Sequence, residues 1–337
     1  MARETVMGIE AVSRLSVLFF AVSLFGMSYP ATASQTETQT IHLDPGWNSV
    51  FMEVQPEPSA PASVFSGIPV ESVWAYLERN STVEFIQNPS EGLWNQPGWV
   101  AYFADPEEAF LTSLYGISAN QAYLVKLGGT SSVDLSVTGR PSHRKMKWST
   151  NSFNLTGFHV SKASPPSFGS YFGASTAHKN QAVYRLGSGG AWEFVNSPSS
   201  TQMKSGEAYW VYCNGASGYQ GPMDVDMEYG DSLDFGANII QRTIRIKNLS
   251  SVTKTVSITL HSSANPVVLS YKKLDTATSS FVWDDFSAMP AMNIEAGKQK
   301  TVQVAVRRES MSYSPAESVM EISDTDGGSI LIPVSAE

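Results

Sequence analysis

The stretch AYWVY at residues 208–212 decides the fold, because residues 122–125 (AYLV) repeat it after a similar polar lead-in. The lead-ins are ANQ at 119–121 and SGE at 205–207, and each apolar run follows directly. A short apolar run bounded by turn-forming residues is typical of a strand buried on both faces, at the centre of a sheet. We therefore predict two related β modules, each built around one of these strands.

Three further segments of the first copy recur in the second copy in the same order. The matched pairs are 47–54 with 152–160, 73–76 with 183–186, and 84–86 with 193–195. The spacing between copies is 106 residues at Trp47, 109 at Glu84 and 86 at Tyr123. One internal duplication with one long insertion in the first copy explains these spacings. Within the first copy, we expect residues 73–77 and 83–86 to pair as a hairpin.

The insertion spans residues 93–116 and is rich in aromatic side chains. It contains Trp94, Trp99, Tyr102, Phe103, Phe110 and Tyr115. Rings on a loop can stack on sugar faces or fill a partner's pocket, and function tends to sit on such loops. We predict an aromatic platform with the ligand-binding residues Trp94, Trp99, Tyr102, Phe103 and Tyr115. The alternative is that these rings form a local core or pack against the neighbouring module.

The sequence pattern changes at residue 231. From there on, short segments of alternating apolar and polar residues are separated by Gly, Pro and Asp turns. Strands at such spacing indicate a sandwich of about seven antiparallel strands. The predicted fold class is therefore all-β. The predicted domains are a signal peptide at 1–33, β module 1 at 34–142, β module 2 at 143–230 and the sandwich at 231–337.

The first 33 residues predict an export signal. Residues 15–27 form an uncharged apolar segment, a Tyr-Pro pair ends it, and residues 31–33 (ATA) fit a small-x-small cleavage site. We expect cleavage after Ala33 and a secreted, periplasmic or cell-surface protein without a membrane span in its mature form. An uncleaved membrane anchor is the alternative, although this segment is shorter than the roughly 20 apolar residues that cross a bilayer.

Charge and cysteine content indicate which partners the protein can bind and how its domains are stabilised. The formal net charge is −9, and only 16% of the residues are charged. Such a chain lacks the basic surface that nucleic acids and anionic lipids need, so we predict neither as a partner. Cys213 is the single cysteine, so each domain must be stabilised by its own core. We interpret Cys213 as a small buried residue, with a reactive or intermolecular thiol as the alternative.

A short motif raises the question of catalysis. Residues 230–233 (GDSL) match the nucleophile motif of a lipase and esterase family, in which the serine needs a histidine base and oxyanion donors. The histidine that follows Ser232 is His261, and Ile258 stands where that family places an aspartate. The same residues fit the opening of the sandwich. We therefore predict no catalytic residues and no enzymatic activity.

Metal and cofactor sites are also not predicted. The five histidines are scattered, and one cysteine cannot make a zinc cluster. Residues 324–328 (DTDGG) resemble the first half of a calcium loop but lack its later glutamate, so an Asp-Gly turn between two strands is preferred. Residues 140–147 carry Arg140, Arg144, Lys145 and Lys147. This basic cluster could bind an anion or form a solvated linker.

Two stretches resemble known families. Residues 233–236 (LDFG), 244–250 (IRIKNLS) and 332–336 (IPVSA) resemble bacterial immunoglobulin-like domains, so the C-terminal part is expected to be an immunoglobulin-like β-sandwich. The opening PGWN at 45–48, with a later AYxV, resembles a tandem β repeat of bacterial surface and secreted proteins. These resemblances imply adhesion, display or carbohydrate contact.

The combined prediction is an exported, non-catalytic binding or structural protein of the cell envelope or surface. Its expected partner is an envelope protein or a polysaccharide. The alternative is a carbohydrate-active enzyme or its carbohydrate-binding accessory protein. In that case the aromatic residues of the insertion should bind sugar.

Overall fold

Strands dominate the architecture, and the predicted all-β fold class is confirmed. The structure, a computed structural model, describes residues 35–77, 98–261 and 263–337. Within these ranges the α-helices have four and five residues, and no helix is long and apolar enough to cross a membrane. The predicted signal peptide at 1–33 and the predicted strand at 83–86 lie outside the described residues.

The first module consists of two sheets and one short helix. Its elements are β1 (Glu37–Leu43), β2 (Gly46–Met52), β3 (Val54–Pro56), α1 (Pro61–Val64), β4 (Val70–Tyr76), β5 (Trp99–Phe103), β6 (Gln121–Leu127) and β7 (Val133–Pro141). The four-stranded sheet has the order β2-β6-β4-β5, and the three-stranded sheet has the order β1-β7-β3. Alternate residues of β1 and β7, such as Leu43 and Leu135, join Met52 and Tyr123 of the other sheet in one core.

The second module repeats the four-stranded sheet. Its elements are β8 (Ser152–Thr156), α2 (Phe168–Phe172), β9 (Val183–Leu186), β10 (Trp192–Phe194) and β11 (Tyr209–Cys213), and the strand order is β10-β9-β11-β8. Helix α2 begins where the Ser167 side chain accepts a hydrogen bond from the backbone N–H of Ser170. Phe168 and Phe172 of this helix pack with Tyr209 in the core of the module. Cys213 is buried, as predicted, and burial raises the pKa of its thiol.

The two apolar runs that decided the fold occupy central strands, as predicted. β6 lies between β2 and β4, and β11 lies between β8 and β9. Both faces of these strands are therefore covered, which explains why consecutive residues in each run are buried.

Strand register shows that the two sheets are equivalent. Tyr123 pairs with Val50 and Ala75, whereas Tyr209 pairs with Thr156 and Arg185. In each module the central tyrosine hydroxyl accepts a hydrogen bond from the backbone N–H five residues earlier. The N···O distance is 2.7 Å for Ser118 with Tyr123 and 2.8 Å for Lys204 with Tyr209. Residues that are 106 positions apart in β2 and β8, and 86 positions apart in β6 and β11, therefore occupy equivalent places in the two sheets.

The structure gives β4 other partners than residues 83–86, with which a hairpin was predicted. β4 pairs with β6 along one edge and with β5 along the other, and Tyr76 lies opposite Trp99. In the second module Leu186 lies opposite Trp192, so Trp99 corresponds to Trp192. Most of the extra residues of the first copy thus fall between β4 and β5, ahead of most of the predicted insertion at 93–116, and the rest fall between β5 and β6. The sequence comparison matched residues 84–86 with 193–195, because both segments contain a phenylalanine after a glutamate. The strand register instead matches Trp99 with Trp192.

The C-terminal part is a sandwich of two five-stranded sheets. Its strands are β12 (Met223–Met227), β13 (Leu233–Asp234), β14 (Gln241–Asn248), β15 (Lys254–Leu260), β16 (Leu269–Asp275), β17 (Ser280–Asp285), β18 (Met292–Ile294), β19 (Gln299–Val306), β20 (Ala316–Asp324) and β21 (Ser329–Ala336). The sheet orders are β12-β14-β19-β16-β17 and β13-β21-β20-β15-β18. Phe235, Ile244 and Ile322 belong to the core between them.

One strand of the sandwich precedes the predicted boundary at residue 231. β12 pairs with β14 along its length, and Met223, Val225 and Met227 are buried in the sandwich core. The immunoglobulin-like label for this sandwich stays a prediction.

The N-terminal strand is tied to the sandwich by polar contacts. The two ring nitrogens of His261 lie 2.6 Å from a carboxylate oxygen of Glu37 and 3.0 Å from one of Glu321. These hydrogen bonds, with that to Glu321 the larger cause, raise the pKa of His261 to about 9. The Gln35 side chain also donates a hydrogen bond of 2.7 Å to the carbonyl of Val334. Module 1 is thereby held against the C-terminal sandwich.

Candidate functional site

The two four-stranded sheets face each other across a layer of aromatic side chains, which we call the aromatic seam. Its buried members are Trp74, Ala101, Leu124, Trp192 and Trp210, and Trp47, Tyr76, Trp99, Phe103, Phe153, Leu155, Tyr184 and Leu186 pack against them. Equivalent positions of the two copies contribute, for example Trp74 with Tyr184 and Trp99 with Trp192. The duplicated modules therefore present the same face to one another.

The predicted platform residues do not share one surface. Trp99 and Phe103 point from β5 into the aromatic seam, whereas Tyr102 lies on the other face of the strand, against the core of module 1. Tyr115 is 77% exposed, and its hydroxyl donates a hydrogen bond to the carbonyl of Thr112. Trp94 lies outside the described residues. Trp99, Tyr102 and Phe103 thus show the packing that the alternative interpretation expected, and a binding role for Tyr115 stays a prediction.

A cavity of about 540 Å³ lies where both modules, the segment between them and the sandwich meet. We call it the junction cavity. Its wall includes Tyr76 and residues 118–122 of module 1, residues 142–148, residues 153–159 and 219–223, and residues 328–331 of the sandwich. Because these segments are far apart in the sequence, only the packing of all three parts creates the cavity.

Asn120 connects the parts that surround the junction cavity. It adopts a left-handed backbone conformation with φ of 56°, which places it at the sharp turn before β6. Its side-chain amide donates to the carbonyl of Ser142 at 2.8 Å, and its amide oxygen accepts from His159 Nε2 at 2.6 Å. Burial lowers the pKa of His159 to about 4, so the ring is neutral at pH 7 and carries its proton on Nε2.

Acid should therefore weaken the fold through His159. A histidine whose pKa is lowered by folding takes up its proton more readily in the unfolded chain, so stability is lost as pH falls below about 6.5. Between pH 7 and pH 5, we expect His159 to account for a loss of about 2 kcal/mol in the free energy of unfolding. Urea denaturation at the two pH values measures this loss.

The matched control is His159→Gln, which keeps a side-chain N–H donor but cannot titrate. His178, whose pKa burial also lowers to about 4, contributes equally to parent and variant. The variant should thus lose less stability on acidification than the parent. Equal losses in the two proteins would contradict the role given to His159.

The basic cluster of residues 140–147 forms one lip of the junction cavity. Gln220 holds its backbone by accepting from the N–H of Met146 at 2.6 Å and donating to its carbonyl at 2.9 Å. The Lys145 ammonium lies 3.4 Å from Asp224 and 3.3 Å from Asp226. Arg144 is exposed and lines the cavity. Part of this positive charge is therefore neutralised, and Arg144 remains at the opening.

The composition of the cavity wall suits a small organic ligand with many hydroxyl groups. Half-buried Tyr76 and Phe153 supply ring surface, and the side chains of Gln121 and Arg144 supply polar atoms. The amides of Asn120 and Gln220 are engaged by the hydrogen bonds described above. A few polar groups among aromatic side chains, in a volume of several hundred Å³, are typical of ligand sites. The sequence marked residues 119–121 only as a turn before a strand. No sequence pattern near residues 119–121 indicates that they lie beside Phe153 in the folded protein.

The motifs at residues 324–328 and 230–233 both lie in the sandwich. Residues 324–328 form the turn of the β20–β21 hairpin, as predicted, and Ser323 pairs with Ser329. The ammonium of Lys254 lies 3.1 Å from Asp324 and 2.6 Å from Asp326, so a lysine sits where a cation would bind these carboxylates. Ser232 directly precedes the buried Leu233 of β13.

Both ring nitrogens of His261 are engaged by glutamates. The histidine that an esterase mechanism would assign to Ser232 as its base therefore has other partners.

Comparison with known proteins identifies no family. No protein-family model matches the chain, and no curated protein matches it. Among solved structures, a PapD-like domain of human CEP192 is similar at 8% identity, with 34% of this chain and 84% of that chain covered and a TM-score of 0.22. The CsuC–CsuE chaperone–tip subunit complex of Acinetobacter baumannii Csu pili shows 12% identity, 34% and 55% coverage, and a TM-score of 0.21.

A β-glucosidase from Listeria innocua with bound gluconolactone shows 13% identity, 43% and 19% coverage, and a TM-score of 0.19. The chain thus spans about half the length of the pilus chain and a fifth of the glucosidase. TM-scores this low indicate neither a common fold nor a common function.

Proposed function

We propose that the protein is an exported, non-catalytic binding protein of the cell envelope or surface, and that it holds a segment of polysaccharide in the junction cavity. The observation that carries this proposal is the wall of that cavity, which combines the rings of Tyr76 and Phe153 with polar side chains such as Gln121 and Arg144. Sugars offer flat apolar faces and peripheral hydroxyl groups, and this combination of side chains complements both. The export signal expected from residues 1–33 supports an envelope location.

The charges around the cavity favour binding over hydrolysis. Glycosidases generally need two carboxyl groups flanking the scissile bond. The residues that the structure places in the wall of the junction cavity include no aspartate or glutamate. Asp224, which lies between the lining residues Met223 and Val225, pairs with Lys145. A saccharide in this cavity would therefore meet donors, acceptors and ring surface, without a pair of acids.

Binding of the exported chain, residues 34–337, to a glycan array and to isolated envelope polysaccharide tests the proposal. Gln121→Ala and Arg144→Ala remove polar groups from the cavity wall, and each should weaken binding about tenfold, equivalent to the loss of one good hydrogen bond. Their melting temperatures should match that of the parent, because neither side chain belongs to a core cluster.

Phe110→Ala is the matched control, since Phe110 is 83% exposed and does not line the cavity. It should bind as the parent does. Absence of saccharide binding, or binding that both cavity variants leave unchanged, would overturn the proposal. Capture of an envelope protein in place of polysaccharide would do so as well.

A further inference from the structure

A second cleft lies between the two modules, with a volume of about 610 Å³. We call it the second cleft. Module 1 contributes residues 47–50 of β2, and module 2 contributes Leu186 at the end of β9 and residues 204–207 ahead of β11. The sequence duplication and the packing of the aromatic seam do not by themselves predict this cleft.

The strand register relates each of these segments to one in the junction cavity. Val50 and Thr156 lie opposite the central tyrosines of their modules, so residues 47–50 correspond to 153–156. Those tyrosines are equivalent, so residues 204–207 correspond to 118–121. Leu186 corresponds to Tyr76, because each lies opposite the first tryptophan of the next strand. All of these counterparts line the junction cavity.

The two clefts are therefore built around equivalent segments of the two modules, and the sandwich contributes residues 328–331 to the junction cavity only. In the junction cavity, the turn before the central strand of module 1 meets the first sheet strand of module 2. In the second cleft, the turn before the central strand of module 2 meets the first sheet strand of module 1. Each module thus completes a cleft on the other, and the duplication produces two clefts per chain.

The second cleft has its own set of ligand-binding groups. The Trp47 indole stands where the junction cavity has the Phe153 ring. The Arg185 guanidinium lies 3.1 Å and 3.0 Å from the two oxygens of Glu207, and their side chains are 25% and 15% exposed. A guanidinium and a carboxylate held side by side offer adjacent donors and acceptors, which match neighbouring hydroxyl groups.

The charges of the second cleft nearly cancel. The described residues of its lining include the cationic or titratable groups His42, Lys162, Arg185 and Lys204 and the acidic groups Asp44, Glu193 and Glu207. His42 also hydrogen-bonds to Asp134. Such a balance does not select a polyanion. It favours an uncharged, hydroxyl-rich ligand.

We propose that the protein is bivalent, with a second saccharide segment bound in the second cleft against Trp47 and the Arg185–Glu207 pair. This inference rests on the proposed function of the junction cavity. Two sites on one chain would hold a long polysaccharide more tightly than either site alone, since the second contact forms within the complex.

Two matched substitutions separate the clefts. Ser118 and Lys204 are equivalent, both are exposed, and the backbone N–H of each is held by the central tyrosine hydroxyl. Ser118→Trp should fill the junction cavity, and Lys204→Trp should fill the second cleft. Neither change removes a buried side chain. The melting temperature of each variant confirms that it is folded.

Calorimetric titration of the exported chain with cellohexaose, xylohexaose and chitohexaose gives the number of bound ligands. For a hexasaccharide that binds, we expect two per parent chain, one per chain in each variant and none in the double variant. Ser188→Trp, at an exposed position that also lines the second cleft, replaces Lys204→Trp if that variant does not fold.

The outcomes distinguish the two proposals. A stoichiometry of one that Ser118→Trp abolishes and Lys204→Trp leaves intact would overturn bivalency while retaining the junction cavity as the binding site. Absence of binding by the parent to all three saccharides and to envelope polysaccharide would overturn the proposed function and the bivalency together.

Discussion

Trp210→Ala is expected to lower the free energy of unfolding by about 3–5 kcal/mol, the usual cost of removing a buried tryptophan. Trp210 is 2% exposed, at the centre of the aromatic seam. Its ring centroid lies 5.6 Å from that of Tyr76, 6.5 Å from that of Trp99 and 6.2 Å from that of Trp192. The truncation would leave a cavity bordered by rings of both modules, and the packed sheets can relax only partially to fill it.

Equilibrium denaturation in guanidinium chloride measures this change. Phe110→Ala serves as control, because it also truncates a large aromatic residue but at a position that is 83% exposed. The control should change stability by no more than about 0.5 kcal/mol. Similar small effects of the two substitutions would show that the aromatic seam does not hold the modules together.

Gly157→Ala should destabilise the protein by about 1–3 kcal/mol through overpacking. A Cβ atom at position 157 would lie 2.3 Å from Cβ and Cγ of Phe51 and 2.7 Å from the carbonyl oxygen of Glu207. The backbone there cannot yield easily, because Phe51 N–H also donates a 2.8 Å hydrogen bond to the Gly206 carbonyl. The added methyl group would therefore push Phe51 of module 1 away from residue 157 of module 2.

Position 157 follows Phe51 by the same 106 residues that separate Trp47 from Phe153. One copy thus carries a phenylalanine, and the other carries the glycine that makes room for it. Combined with Phe51→Ala, the Gly157→Ala change should cost less than the sum of the two single changes, since the contact with Cγ is then absent while that with the Cβ of residue 51 remains. Strict additivity would contradict the proposed contact.

Gly189→Ala is the control for the glycine prediction, as no atom lies within 4 Å of a Cβ placed there. It should be neutral or slightly stabilising because alanine reduces the freedom of the unfolded chain. Denaturation curves of the four variants and the parent supply all the values needed.

Several features of the fold could be predicted from local sequence. The buried runs at 122–125 and 208–212 mark central strands, since only a strand covered on both faces tolerates consecutive apolar residues. The Asp-Gly turn at 324–328 follows from turn chemistry. Burial of Cys213 follows from its place at the end of an apolar run.

The partner of β4 and the roles of the aromatic residues could not be predicted in this way. β5 reads WVAYF, which is apolar on both faces, so its sequence does not tell which side meets another sheet. Trp99 therefore resembled an exposed platform residue as much as a packed one. The packing of module 2 against module 1 places Trp99 in the aromatic seam.

By itself the sequence determined the all-β class, the duplication and its spacing at β2 and at the central strands, because apolar patterns and turn residues act within a few positions of one another. The tertiary structure alone decided that equivalent faces of the two copies meet in the aromatic seam and leave the junction cavity and the second cleft beside it. Those contacts join residues such as Asn120 and His159, or Val50 and Glu207. They depend on how whole sheets dock, and local sequence preferences do not encode that docking.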